Sequence, residues 1–187
     1  MGATTATLEI RWHAMLFGVR RSIRYHQRRR AFYDKLDKIS NMLSLIFGSV
    51  AVYGTLEDNA KNVALIASAI VTIFSSINLV VGSATRARDH TDYMRKYVAL
   101  EKLMLKDKSE DLLREVTAER LSIEAEEPPV LHVLNAMCHN ELMRAMGYAK
   151  EDLPKIGPIQ RLVSQFFDLC ESSIQNPKPK DPPQATP

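Results

Sequence analysis

The sequence has almost no cysteine, few glycines and few aromatic residues. Cys138 and Cys170, its two cysteines, are too few for a disulfide framework and are expected as free thiols. The seven glycines are scattered and never form the cluster that a phosphate-cradling loop needs. A Gly-x-Ser-x-Gly elbow, a Cys-x-x-Cys pair and a His-Glu-x-x-His helix are all missing. The stretch "CHNE", Cys138 to Glu141, carries metal-ligand residue types. Neighbours on a helix point about 100° apart, however, so Cys138 and His139 do not readily converge on one ion. His132 and His139 share a helix face, without a third ligand beside them. No catalytic residue, metal or cofactor is expected, and the chain reads as a non-enzyme. No useful run of period-2 alternation occurs, which leaves an all-α fold. The N-terminus lacks an apolar run of roughly 7–15 residues with a small-residue cleavage site, so no secretory signal peptide is expected.

What the sequence does have is segregation. A mean hydropathy of −0.18 and a net charge of +3 are ordinary, but apolar and charged residues are sorted along the chain. Two stretches carry no charge: "ISNMLSLIFGSVAVYGTL", residues 39–56, and "VALIASAIVTIFSSINLVVGSA", residues 63–84. As helices they span roughly 27 and 33 Å, against a hydrocarbon core of about 30 Å. A soluble domain this small has no room to bury two helices that are apolar on every side. They are therefore expected to form a membrane hairpin, closed by the short loop 57–62.

The flanks orient it. Residues 1–38 hold nine Lys or Arg against three acids, among them Arg20, Arg21, Arg24, Arg28, Arg29 and Arg30. Arg86 and Arg88 follow the second stretch, whereas the loop has Lys61 beside Glu57 and Asp58. An excess of Lys and Arg marks the cytoplasmic side, so both termini are expected inside a plasma (inner) membrane. The cluster "RRSIRYHQRRR" is also a nucleic-acid-type patch. Directly before a membrane span, topology and attraction to anionic lipid account for it better.

On a helix at 100° per residue, Ser68, Thr72, Ser75, Ser76, Asn78, Gly82 and Ser83 fall on one side of the second span. Isoleucine, valine and phenylalanine occupy the other. A lipid-facing helix needs no polar side, so this one is expected to meet protein or water. It is either packing glue or the lining of a watery path between several hairpins. Because Asn78 cannot satisfy all its groups within its own helix, homo-oligomers are the favoured expectation. Ser44, Gly48, Ala51 and Thr55 form a small-residue seam on the first span, of the kind that lets backbones approach.

The remaining segments read as cytosolic helices. Leu8, Trp12, Met15, Leu16, Val19 and Ile23 make a helical stripe, with Arg20, Arg21, Arg24 and Arg28 turned away and Thr7 as N-cap. This helix either lies on the inner leaflet or docks on other cytosolic helices. The second span is expected to run on past the membrane through "TRARDHTDYMRKYVALEKLMLK". Helices at 109–126, at 129–146 with Gly147 as its stop, and from Pro158 onward follow within a helical region 85–174. Leu112, Leu113, Val116 and Ile123 face inward on the first of these. Leu131, Leu134, Cys138, Leu142 and Ala145 do so on the second, and Ile159, Leu162, Val163, Phe166 and Cys170 on the last. Residues 175–187, rich in proline, are expected to be disordered.

The basic helix, the two spans with a very short loop, "YMRKYVALEKL" and "ERLSIEAEEPPVLHVLNAMCHNEL" together resemble the SLATT family. These are two-transmembrane effector domains of prokaryotic conflict systems, and the likeness covers about residues 8–170. The resemblance implies a pore-type membrane effector that kills the cell when a partner, such as a nucleotide-signal system, reports infection. It brings no catalytic residue with it. A membrane-anchored helical scaffold and a prophage exclusion or lysis protein fit the same layout. The topology has a direct check. A cysteine placed at Asn59 should react with an impermeant thiol reagent in intact cells, and one placed at Gln184 should not.

Overall fold

The computed structural model describes residues 2–57 and 60–174, so Asp58, Asn59 and the proline-rich tail 175–187 lie outside the described residues. Every extended element among the described residues is a helix: α1 (Gly2–Leu56), α2 (Lys61–Val81), α3 (Ser83–Leu103), α4 (Glu110–Glu126), α5 (His132–Ala145) and α6 (Pro158–Val163). They form two compact units. One is His26–Asp92; among the described residues the other joins 2–25 to 93–174.

The second of these units has the core that the stripe on α1 predicted. Trp12, Val19 and Ile23 are buried against Tyr97, Leu100 and Met104 of α3 and Leu113, Val116 and Ile123 of α4. Leu8, Met15, Leu16 and Leu112 pack on the edge of the same cluster. The α1 stripe therefore docks on α3 and α4. Ser109 caps α4 by accepting a hydrogen bond from the Leu112 N–H at 3.1 Å, with Glu110 and Asp111 in the favourable first turn.

Several expectations change. Thr7 is inside α1, which begins at Gly2, so it is no N-cap. Arg20 and Arg21 are not turned away: Arg20 Nε donates to Glu101 at 2.7 Å, and Arg21 is half-buried. Pro128 and Pro129 do not open α5, which starts at His132; Gly147, at φ 87°, does end it. Leu134, Cys138 and Leu142 are buried as expected, whereas Ala145 is exposed.

The last helix is inverted. Pro158 opens α6, but the helix lasts only six residues, and Ile159, Leu162 and Phe166 are 65, 79 and 57% exposed. Cys170 is exposed too, with φ 49°. Gln160 and Ser164 face inward instead. Gln160 accepts from the Gly157 N–H at 2.8 Å and donates to the Cys170 carbonyl at 2.8 Å. The inner face of α6 meets backbone rather than a core, and backbone needs polar partners.

In the His26–Asp92 unit, α2 runs antiparallel to α1. At their closest passage, a Cβ added to Gly54 would stand 2.9 Å from Ala64 Cβ and 3.0 Å from the Ala60 carbonyl. Ala64 and Ala67 are the buried positions of α2. The second span runs on to Leu103 as expected, through a junction at Gly82. Gly82 adopts φ 62°, ψ 44°, separating α2 from α3, and its N–H still bonds to Asn78 O at 2.9 Å. That left-handed geometry suits glycine. Arg86 Nε donates to the Val81 carbonyl at 2.8 Å, a cation on the last turn of α2.

Both helix runs, Thr7–Leu56 and Lys61–Leu103, contain a window long and apolar enough to cross a membrane, and only 11% of each window is buried. Gly54 and Gly48 should part company on mutation. A Cβ at Gly54 forces helices or backbone to shift, so Gly54→Ala should destabilise the pair by about 1–3 kcal/mol. Nothing lies within 4 Å of a Cβ at Gly48, so Gly48→Ala should be neutral or stabilising. Thermal melts of the purified proteins in detergent separate the two.

Candidate functional site

The polar side of α2 splits into three parts. Ser68, Thr72 and Ser76 are exposed on the surface of the helix pair, Ser68 one turn from the buried Ala64 and the other two turned progressively farther from it. Ser68 Oγ donates to the Leu65 carbonyl at 2.8 Å, and Thr72 Oγ1 to the Ser68 carbonyl at 2.9 Å. These hydroxyls are thus satisfied by their own helix, which makes them tolerable even against hydrocarbon. Ser75 differs, since its Oγ lies 3.2 Å from Ser44 Oγ on α1 and ties the two helices together.

Asn78 marks the third part. Its Nδ2 donates to Asp37 Oδ1 of α1 at 3.2 Å, while its Oδ1 is buried without a hydrogen-bond partner. Asp37 also accepts from Asn41 Nδ2 at 3.2 Å. Gly82 is the left-handed junction and not part of a helical lining. Ser83 is 1% exposed and turned into the fold, with no hydrogen-bond partner for its hydroxyl. The exposed lining candidates reduce to Ser68, Thr72 and Ser76, with Ser75 at their edge.

The expected seam on α1 divides as well. Ser44 reaches α2, while Thr55 bonds back to the Val52 carbonyl at 2.7 Å. Gly48 lines a shallow open groove with Leu45, Ser49, Val52, Tyr53 and Leu56, and Ala51 is half-buried. Gly54, the real point of close approach, was not singled out from the sequence. It sits one helical turn from the loop, opposite alanine, and that small–small pairing near a tight turn was the available signal.

Below Asn78, aromatic and basic groups stack between α1 and α3. Arg29 lies over the Tyr33 ring at 4.6 Å and hydrogen-bonds its hydroxyl, and Arg86 lies over the same ring at 5.8 Å. Arg29 is buried, whereas Arg30, Arg86 and Arg88 are exposed and Arg24 and Arg28 half-buried. Tyr33 stacks on His90 with 10° between the planes. His90 Nδ1 stands 2.9 Å from His26 Nδ1, and both histidines are buried. Burial, then the neighbouring His26, Arg29 and Arg86, depresses the His90 pKa to about 3. No motif flags this cluster, because histidines 64 positions apart meet only once α1 and α3 pack.

The other unit contributes two titratable features. His139 packs edge-on against Phe17 at 5.1 Å, and burial, then Arg21, lowers its pKa. His132, Asp168 and Glu171 bring their ligand atoms within 4.8 Å of one another, so the partners of His132 are not His139 but two carboxylates from beyond α6. Both Asp168 oxygens already accept the His132 and Val133 N–H groups, at 2.8 and 3.0 Å. Asp168 is therefore the cap that Leu131, at the N-cap position, does not supply.

No family model, curated protein or solved structure matches this chain.

Asp168 and Glu171 should behave differently. Asp168→Ala frees two N–H groups at the start of α5 and should cost about 1–2 kcal/mol. Glu171→Ala, at an exposed side chain, should change stability by less than about 0.5 kcal/mol. Denaturant titration followed by circular dichroism checks both. Equal losses would mean that the acids act as one unit.

Proposed function

We propose that this protein is a prokaryotic two-transmembrane effector of the SLATT type. In this reading it oligomerises in the inner membrane and permeabilises it when a partner or signal triggers it. Residues 39–56 and 63–84 form the membrane hairpin, and both termini are cytoplasmic. The observation that carries the reading is the exposed polar row Ser68, Thr72 and Ser76 on a helix whose other outward side chains between Val63 and Val80 are aliphatic apart from Ser75. The helix pair does not use that row internally, because Ala64 and Ala67 make the contact with α1. A row left over after the pair has closed is available to further copies, and between copies it can hold water.

The groove around Gly48 supports self-association in the same way, being lined by Leu45, Val52, Tyr53 and Leu56 and open to a second helix. A lining of hydroxyls without charge hydrates weakly and discriminates poorly among small ions, with Glu57 at the outer mouth favouring cations mildly. The basic residues Arg28, Arg30 and Arg88 lie on the cytoplasmic side, where anionic lipid attracts them.

A second reading, a membrane-anchored helical scaffold, is favoured by one observation. Ser68 and Thr72 already bond to their own helix and so do not require water.

The two readings separate in one experiment. Overproduced protein should depolarise the inner membrane, measured with a potential-sensitive dye. The triple variant Ser68→Ala, Thr72→Val, Ser76→Ala should insert normally, since each change favours hydrocarbon, yet lose at least about tenfold in depolarisation. Gly48→Leu should lower the yield of crosslinked oligomers without disturbing the pair itself. A triple variant that still collapses the potential selects the scaffold or another lytic route.

A further inference from the structure

A phenol hydroxyl has one hydrogen to give and two lone pairs that receive. Tyr33 receives twice: Arg29 Nη2 donates to its oxygen, and Arg86 Nη1 does so at 3.4 Å. Its own hydrogen finds no acceptor among the described residues, although the side chain is buried. Arg86 is exposed and has no carboxylate partner among the described residues. Its Nε is spent on the Val81 carbonyl and its Nη1 on Tyr33, which leaves Nη2 open. Two guanidinium groups and an idle O–H therefore converge on one point, and every group there is a donor. Water accepts a hydrogen as well, but it offsets no charge. An anion does both, through the stronger kind of hydrogen bond.

The carboxylates on either side are engaged elsewhere or turned to solvent. Asp34 accepts from Lys38 at 2.8 Å, and Asp37 accepts from Asn41 and Asn78. Asp89 of α3 is exposed. Depth along the helices suggests what supplies the anion instead. Tyr33 stands six residues before the apolar stretch 39–56, about 9 Å along α1. Arg86 stands two residues past 63–84, about 3 Å along α3. A headgroup layer is roughly 5–8 Å deep on each face of a bilayer. With both apolar stretches in hydrocarbon, these donors lie at the level of the inner-leaflet phosphates.

We propose that Tyr33 and Arg86, with Arg29 behind them, form a binding site for one phosphate group, supplied by a lipid headgroup or by free phosphate. The Tyr33 O–H and Arg86 Nη2 donate to phosphate oxygens. Buried Arg29 holds the phenol oxygen from the inner side, and the stack on His90 fixes the ring. The lipid source rests on the membrane-hairpin reading. The binding chemistry does not, and pore formation enters neither.

Tyr33→Phe is the sharpest probe, because it keeps the ring and its stack and removes only the O–H. Losing one hydrogen bond to a charged group should weaken binding about tenfold or more. Arg88→Gln is the control for diffuse charge, since exposed Arg88 takes no part in the cluster.

Native mass spectrometry of the full-length protein, released from nanodiscs of phosphatidylcholine and phosphatidylglycerol, tests the lipid source. The unmodified protein and Arg88→Gln should retain phosphatidylglycerol alike, and Tyr33→Phe about tenfold less. Calorimetric titration with inorganic phosphate in lipid-free detergent, against chloride at equal ionic strength, tests the free source. A fall in Tyr33→Phe in the first measurement assigns a lipid headgroup, and a fall in the second assigns free phosphate. Tyr33→Phe that matches the unmodified protein in both overturns the site, and so does a protein that binds neither probe. An equal loss in Arg88→Gln overturns it too, since the attraction is then diffuse surface charge. Should Tyr33→Phe fail to fold, Arg86→Lys takes its place, because a point charge does not reproduce the guanidinium fork. Undiminished binding in that variant overturns the site. Carbonate extraction keeps the hairpin reading separate. Protein that washes off the membrane refutes the hairpin, and the phosphate titration still decides the site.

Discussion

The passage of Gly54 past Ala64 sets the register of everything between α1 and α2. With a side chain at either position larger than the one present, the helices would stand apart and the ladder of cross-contacts would be lost. From that crossing the antiparallel register brings Ser44 to Ser75, then Asp37 to Asn78. Past the Gly82 junction the same progression brings Tyr33 to Arg86 and His26 to His90. The contacts grow more polar and more charged along it. Alanine meets glycine at the loop end, hydroxyl meets hydroxyl midway, and rings and guanidinium groups meet at the other end. A gradient of this kind suits a helix pair that is immersed in hydrocarbon at one end and leaves it at the other.

The polar groups inside the pair account for the ones outside. Asp37 answers the Asn78 NH2 group within the chain, while the amide oxygen stays buried without a hydrogen bond. The amide is thus half-satisfied inside the pair, and the hydroxyl row lies outside it. Ser68 and Thr72 donate to their own helix, which keeps them tolerable in lipid while their oxygens can still accept from water.

Local periodicity and local chemistry were legible; long-range partners were not. The stripe Trp12, Val19, Ile23 and the inward face Leu113, Val116, Ile123 follow from a 3.6-residue repeat and were read correctly. Gly147 and the Pro158 start follow from backbone restrictions and were also read. The α6 face was misread because apolar spacing there suggested burial, whereas the buried Gln160 serves the Leu169 and Cys170 carbonyls and the buried Ser164 turns back to the Arg161 carbonyl. The cap of α5 comes from Asp168, far along the chain, and the His26–His90 contact joins residues on different helices. In the candidate site the exposed hydroxyls were foreseen and the inward turn of Ser83 was not. A uniform 100° step carried through Gly82 displaces every residue beyond the junction.

That junction has a consequence of handedness. Nothing lies within 4 Å of where a Cβ at Gly82 would be, so bulk is not what restricts the position. The restriction is chirality: φ 62°, ψ 44° is the mirror image of the ordinary helical conformation. Every L side chain, small or large, meets nearly the same backbone penalty of about 1 kcal/mol, eased somewhat for asparagine. A D-alanine introduced by chemical synthesis would find its own preferred conformation there. It would also narrow the unfolded ensemble relative to glycine, so the mirror-image residue is the one substitution at this bend with a reason to stabilise the protein.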